Sequence, residues 1–145
     1  ATGDHFKSRL MNFPLGGAFN SRINLNLRED KGFTYGANSG FVGGKTLGWF
    51  EVSTDLTAAN TGEGIKEILG EIERYRSEGV EKAEIDFMRN AFTLSDALEF
   101  ETPTSKARFL RQLLSYGLEK GYREAQLDII NNIDKESIKR KFCLS

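Results

Sequence analysis

The spacing of hydrophobic residues changes period several times along the chain, and each change marks an element. Phe6, Leu10 and Phe13 recur at helical intervals over residues 4–13, and Pro14 disfavours helical geometry in the residue before it, so the pattern predicts a helix that stops there. Gly16-Gly17 then punctuates. A second helix is predicted over 18–30, with Phe19, Ile23 and Leu27 on one face, Ser21, Leu25 and Arg28 on another, and Gly32 beyond its end. From Thr34 to Phe41 the period falls to two: Tyr35, Ala37, Ser39 and Phe41 alternate with small or polar residues, as a pleated strand requires. Gly43-Gly44 supplies a hairpin turn. The return strand over 46–56 puts Phe50, Val52, Thr54 and Leu56 on one face and Trp49, Glu51, Ser53 and Asp55 on the other.

Beyond the hairpin the helical period returns. Asn60-Thr61 is read as a cap, and Ile65, Ile68, Leu69, Ile72 and Tyr75 form an amphipathic stripe that runs to Gly79. Ile85, Met88, Phe92 and Leu98 mark the next helix. Thr102-Pro103-Thr104 breaks it, and Ala107, Leu110, Leu113 and Leu114 begin another. Short helices follow over 122–132 and 135–143, the last capped by Asp134. The fold class is therefore α+β, an antiparallel sheet of two or three strands covered by about six helices. An isolated hairpin is marginal without further strands or covering helices, so a wider sheet is expected. Its remaining strands would precede residue 1, making this a domain truncated at its N-terminal side, or come from a second copy paired through an exposed sheet edge.

Composition adds boundaries more than direction. The 145 residues, 16.3 kDa, fit one domain with one core, and no repeat or linker divides them. With 20 Lys and Arg against 21 Asp and Glu, no global charge draws the chain to nucleic acid or to an acidic membrane. Cys143 has no partner for an internal disulfide and selects no redox compartment. No apolar run approaches the roughly 20 residues of a membrane span, and the N-terminus lacks a signal-peptide pattern.

Several candidate chemistries fail on spacing. Gly43-Gly44-Lys45-Thr46 ends like a phosphate-binding loop, but the glycine that should open such a loop is Ser39, and the segment lies between strands instead of opening a helix. A zinc site needs three or four converging ligands, and the only histidine, His5, has no Glu-His partner in either order; it reads as a solvated residue. Nucleophilic catalysis by Cys143 or a serine lacks a nearby general base. The carboxylates over 63–86 read as the solvent sides of helices.

The segment Leu15-Gly16-Gly17-Ala18-Phe19-Asn20-Ser21-Arg22 through Arg28-Glu29-Asp30-Lys31-Gly32-Phe33-Thr34-Tyr35-Gly36 is different. Its Leu-Gly-Gly turn, Ser-Arg pair and Arg-Glu…Gly…Tyr stretch resemble the signature of the pitrilysin/insulinase zinc peptidases and their relatives, the mitochondrial processing peptidases among them. The strand pair, the helix over 62–78 and the Gly79-Val80…Glu84 approach to the next helix extend the resemblance over most of the chain. It implies one of the paired α/β domains of that family, of the C-terminal, non-catalytic type. Zinc and its inverted motif would then reside in a partner domain, in cis or in trans, with no cofactor in this chain.

The resemblance also implies that Arg28 and Tyr35 contact the peptide substrate, and a guanidinium and a phenol are suited to hold a carbonyl or carboxylate. From the residues alone, Arg28 beside Glu29 and Asp30 could equally be a solvated helix end and Tyr35 a strand aromatic. Arg22 and Asn20 are expected to anchor the turn, and Gly16, Gly17 and Gly36 to permit close backbone approach. The rival function is a structural or assembly subunit of the same fold with no peptidase role. A nucleotide-binding module ranks last, since it rests only on the off-register Gly-Gly-Lys-Thr.

Overall fold

A computed structural model describes residues 3–43, 47–99, 101–119 and 121–143. Helix α1, Gly3–Asn12, runs through the centre of the molecule, with Phe6, Leu10 and Met11 buried. Pro14 does not end the helical path. The chain continues from Phe13 to Gly17 as a wide π-type turn with Pro14 in its first positions, so the regular α-helix ends at Asn12 while the path goes on. The second helix is shorter than its periodicity suggests: Ala18–Asn20 precede it, α2 covers Arg22–Asn24, and a π-type segment, Leu25–Asp30, completes it. Ile23 and Leu27 face the core as expected, whereas Phe19 is 65% exposed.

Strands β1, Ala37–Gly43, and β2, Gly48–Thr54, pair antiparallel, from Ala37 opposite Thr54 to Gly43 opposite Gly48. Because side chains alternate across a pleated strand, this register gathers Ala37, Ser39 and Phe41 with Thr54, Val52 and Phe50 on one face. Phe41 and Phe50 stack directly across the pair, ring centroids 5.0 Å apart. No third strand occurs among the described residues. Residues 44–46, including the Lys-Thr of the glycine-rich segment, lie outside the described residues.

Helix α3, Thr61–Glu78, covers α2 and its π-type extension. Its buried stripe is rotated from the expected one. Gly64, Glu71 and Tyr75 face inward with Ile68 and Ile72 packed beside them, while Ile65 and Leu69 point to solvent. Polar satisfaction explains the rotation: Glu71 accepts from Asn26 Nδ2 at 2.7 Å, and Tyr75 donates to the Met11 carbonyl at 2.8 Å. The expected Asn60 side-chain cap does not form; Thr61 instead donates its hydroxyl to the Thr57 carbonyl. Gly79 ends the helix in the left-handed region, φ 77°, where a side chain would strain the backbone.

The last four helices are α4, Lys82–Glu99, α5, Pro103–Tyr116, α6, Tyr122–Asn132, and α7, Lys135–Cys143. Ile85 and Met88 of α4 enter the core, and Phe92 meets Phe6 and Phe13 edge-on, with centroids 6.1 and 5.1 Å away. Thr102 caps α5 by accepting from Ser105 N at 3.1 Å, and Asp134 caps α7 by accepting from Ser137 N at 2.8 Å. The expected core position Leu98 and the thiol of Cys143 fall among side chains outside the description. An α+β fold with helices against an antiparallel pair is thus what forms, seven α-helices among the described residues.

Candidate functional site

The Leu-Gly-Gly turn and β1 are locked together by side chains buried on both sides. Asn12 Nδ2 donates to the Ser39 carbonyl at 2.7 Å, and Ser39 Oγ donates back to Asn12 Oδ1 at 2.5 Å. Gly16 lies so close that a Cβ there would fall 2.1 Å from Ser39 Oγ. Gly17 is similarly confined by Asn12, whose Nδ2 and carbonyl oxygen would lie 3.0 and 3.2 Å from an added Cβ. Gly36 has no such neighbour, the nearest atom being 3.8 Å away, so its expected role in close approach is not borne out.

Asparagines hold the rest of the frame. Asn24, buried, donates to the Phe19 carbonyl at 2.6 Å and accepts from Ala37 N at 2.8 Å, fixing both the turn before α2 and the start of β1. Asn20, expected to share this work, is exposed. Asn26 reaches Glu67 and Glu71 of α3, and Lys31 pairs with Glu67 at 2.8 Å. That lysine and Asn26 hold the Glu67 carboxyl below its usual range.

Arg22 is the anchor it was expected to be. Its Nε donates to Glu84 Oε1 at 2.6 Å and its Nη2 to Glu84 Oε2 at 2.7 Å, with a further bond to the Gly79 carbonyl at 3.0 Å. The guanidinium also lies 4.9 Å over the Tyr75 ring. Glu84 accepts simultaneously from Glu81 N at 2.7 Å and so helps to start α4. Burial, reinforced by the negative charge of Glu84 and opposed by Arg22, raises the Tyr75 phenol far above its ordinary value. Glu71 and Glu84 are therefore not the solvated helix carboxylates that their positions suggested.

On this frame sit Arg28 and Tyr35. Arg28 lies in the last turn of the π-type segment, its guanidinium 4.4 Å over the Phe19 ring and 3.0 Å from Glu29. Tyr35 is not a strand residue. β1 begins only at Ala37, and the Tyr35 ring is 100% exposed in the connection before it. The backbone around it is held: Thr34 Oγ1 accepts from Gly36 N at 3.2 Å, and Thr54 Oγ1 donates to the Gly36 carbonyl at 3.1 Å. No contact among the described residues joins Arg28 to Tyr35, so the structure does not bring the pair together directly.

The residues present do not fit zinc. No group of three or more His, Cys, Asp or Glu side chains converges among the described residues. His5, expected to be solvated, is partly buried. It packs beside Gly43, whose added Cβ would meet its Nδ1 at 3.1 Å, and burial together with the charge of Arg9 lowers its pKa.

A hairpin clamped by buried asparagines onto α1, with an arginine-carboxylate lock between α2 and α4, is the frame of this domain. The chain belongs to the peptidase M16 inactive-domain family, whose model matches residues 1–92 and so includes the frame, Arg28 and Tyr35. A peptidase M16 inactive domain from Pseudomonas fluorescens superposes with TM-score 0.87 over 95% of this chain, at 24% identity. A Helicobacter pylori protease gives 0.82 over 97% at 15% identity, and a Bordetella pertussis Tohama I protein assigned as a zinc protease gives 0.78 over 97% at 14%. This chain spans 33% and 34% of the first two solved chains and 78% of the third. No curated protein sequence matches it significantly. The pitrilysin/insulinase resemblance carried by residues 15–36 is borne out at the level of family and fold.

Proposed function

We propose that this chain is the substrate-binding, non-catalytic half of a two-domain zinc metalloendopeptidase, with residues 1–145 forming a single domain of that assembly. The observation that carries the reading is Tyr35, a fully exposed phenol on a connection whose backbone is fixed at Thr34, Gly36 and Ala37. Binding residues are disproportionately found on loops positioned by a rigid scaffold, and Tyr35 presents its hydroxyl to solvent from such a loop. Arg28, supported by Phe19, offers a planar fork of donors on the same frame.

In this reading a zinc ion held by the partner domain would supply Lewis-acid activation of the scissile carbonyl and of water. The work of the present chain is binding: Arg28 and Tyr35 donate to a substrate carbonyl or carboxylate and orient the peptide, without moving a proton themselves. The engagement of Arg28 with Glu29 at 3.0 Å favours the rival reading, a structural subunit whose arginine is simply part of the surface. Metal analysis of the complete parent assembly separates the two. One zinc per catalytic half, bound at an H-x-x-E-H motif outside this chain, is the expected result; an assembly without zinc or that motif favours the structural role.

A further inference from the structure

Away from Arg28 and Tyr35, three helices close around a second polar cavity of about 400 Å³. α1 contributes His5 and Arg9, α5 contributes Arg108 and Arg111, and α6 contributes Tyr122 and Gln126. Within each helix the two residues are three or four positions apart, the spacing that places side chains on one face. None of the lining residues is acidic. Among the described residues Arg9, Arg108 and Arg111 have no carboxylate partner, and Arg9 lies over the face of Phe92, 6.0 Å from the ring centroid.

Three guanidinium groups sharing one concavity repel each other unless an anion joins them. The cavity size falls in the range of small-ligand sites, roughly 300–1,000 Å³. A second chamber of about 680 Å³ adjoins it, sharing Arg9 and Arg108 and adding the apolar side chains of Phe92, Phe109 and Leu127. α5 has no fully buried residue of its own, so a ligand bridging it to α1 and α6 would secure it to the body.

We propose that this cavity binds an organic phosphate, its phosphate group held by Arg9, Arg108 and Arg111 and its apolar part in the adjoining chamber. Guanidinium forks match phosphate oxygens two at a time, and the exposed positions of Arg108 and Arg111 leave an open path from solvent. The site is independent of peptide hydrolysis and of the substrate role given to Arg28 and Tyr35.

Calorimetric titration of the full chain with phenyl phosphate, with inorganic phosphate as head-group control and ionic strength held constant, tests the proposal. Phenyl phosphate is expected to bind saturably at one site and more tightly than inorganic phosphate. Arg108→Gln and Arg111→Gln should each weaken binding about tenfold. Both positions are exposed, and unchanged far-ultraviolet circular dichroism verifies folding. Arg76→Gln, which removes an exposed arginine paired with Glu73, should leave affinity unchanged. Absence of saturable binding at millimolar concentrations, or equal affinity in the two pocket variants, overturns the proposal. Binding only to phosphatidic acid vesicles, with none to phenyl phosphate, also overturns it and assigns the arginines to a lipid surface.

Discussion

Arg22 and Glu84, 62 residues apart in sequence, meet through two parallel hydrogen bonds of 2.6 and 2.7 Å. The pair joins the signature segment to the start of α4, and its side chains are only 17% and 23% exposed. Glu84, above all through that hydrogen bond, raises the Arg22 pKa. Arg22→Ala or Glu84→Ala should each cost about 2–3 kcal/mol in denaturant unfolding, because each leaves a partly buried charge alone. The double variant should lose less than the sum of the two, by about 1–2 kcal/mol. Additive losses would show that the contact contributes nothing as a pair.

Gly16 and Gly36 should separate cleanly. An alanine methyl at Gly16 would sit 2.8 Å from Ser39 Cβ and 3.1 Å from Ser39 N, neither of which can swing away, so Gly16→Ala should destabilise by about 1–3 kcal/mol. Gly36→Ala meets nothing nearer than 3.8 Å and should change stability by less than about 0.5 kcal/mol. Urea unfolding midpoints of the two variants give the comparison.

Tyr75 ties stability to alkaline pH. Its phenol titrates above the reference value of 10.0 in the native state, so the unfolded chain releases that proton first. Its contribution is therefore fully present below about pH 10 and is lost as pH rises toward the native pKa. Tyr75→Phe should lower stability at neutral pH by about 1 kcal/mol, through loss of the bond to Met11, and should flatten the fall above pH 10. An unchanged alkaline slope in that variant would place the titration elsewhere.

The uncovered hairpin makes a different prediction. Trp49 is 56% exposed on β2 and Leu47, just before that strand, 78%, and β2 has no further strand partner among the described residues. An apolar unpaired edge invites pairing with another strand, so the isolated chain should self-associate. Light scattering should show Trp49→Lys shifting it toward monomer, since a lysine on an edge opposes strand addition. A wild-type chain that is monomeric at high concentration would count against this edge as an interface.

Much of this fold was legible in the chain. The alternation named Ala37, Ser39 and Phe41 on one strand and Phe50, Val52 and Thr54 on the other, the two sets that the register brings onto one face, and Thr102-Pro103 and Asp134 marked the starts of α5 and α7. What periodicity could not show was burial of polar residues through long-range bonds. Glu71 counts as a solvent-facing residue until Asn26 is known to lie 45 positions away in sequence and 2.7 Å away in space. The same blindness hid Asn12 and Ser39, which bond each other across 27 positions, and Asn24, which bonds backbone groups of Phe19 and Ala37. Pro14 correctly marked the end of the regular helix, but not the start of the π-type turn that carries the path on to Gly17. The site residues Arg28 and Tyr35 were legible only through family resemblance. Spacing suggested a strand for Tyr35, but the chain bends at Tyr35 itself, before β1 begins, and its ring stands in water.

The central claim is that Arg28 and Tyr35 serve the substrate of a partner domain. The direct measurement is peptide cleavage by the complete parent assembly carrying Arg28→Lys or Tyr35→Phe, with kcat and KM resolved separately. Each loses donors to a charged or developing oxyanion, so kcat/KM should fall by about tenfold or more for each variant while the zinc content and unfolding midpoint stay unchanged. Wild-type kcat and KM in both variants would contradict the account and leave this chain a structural domain.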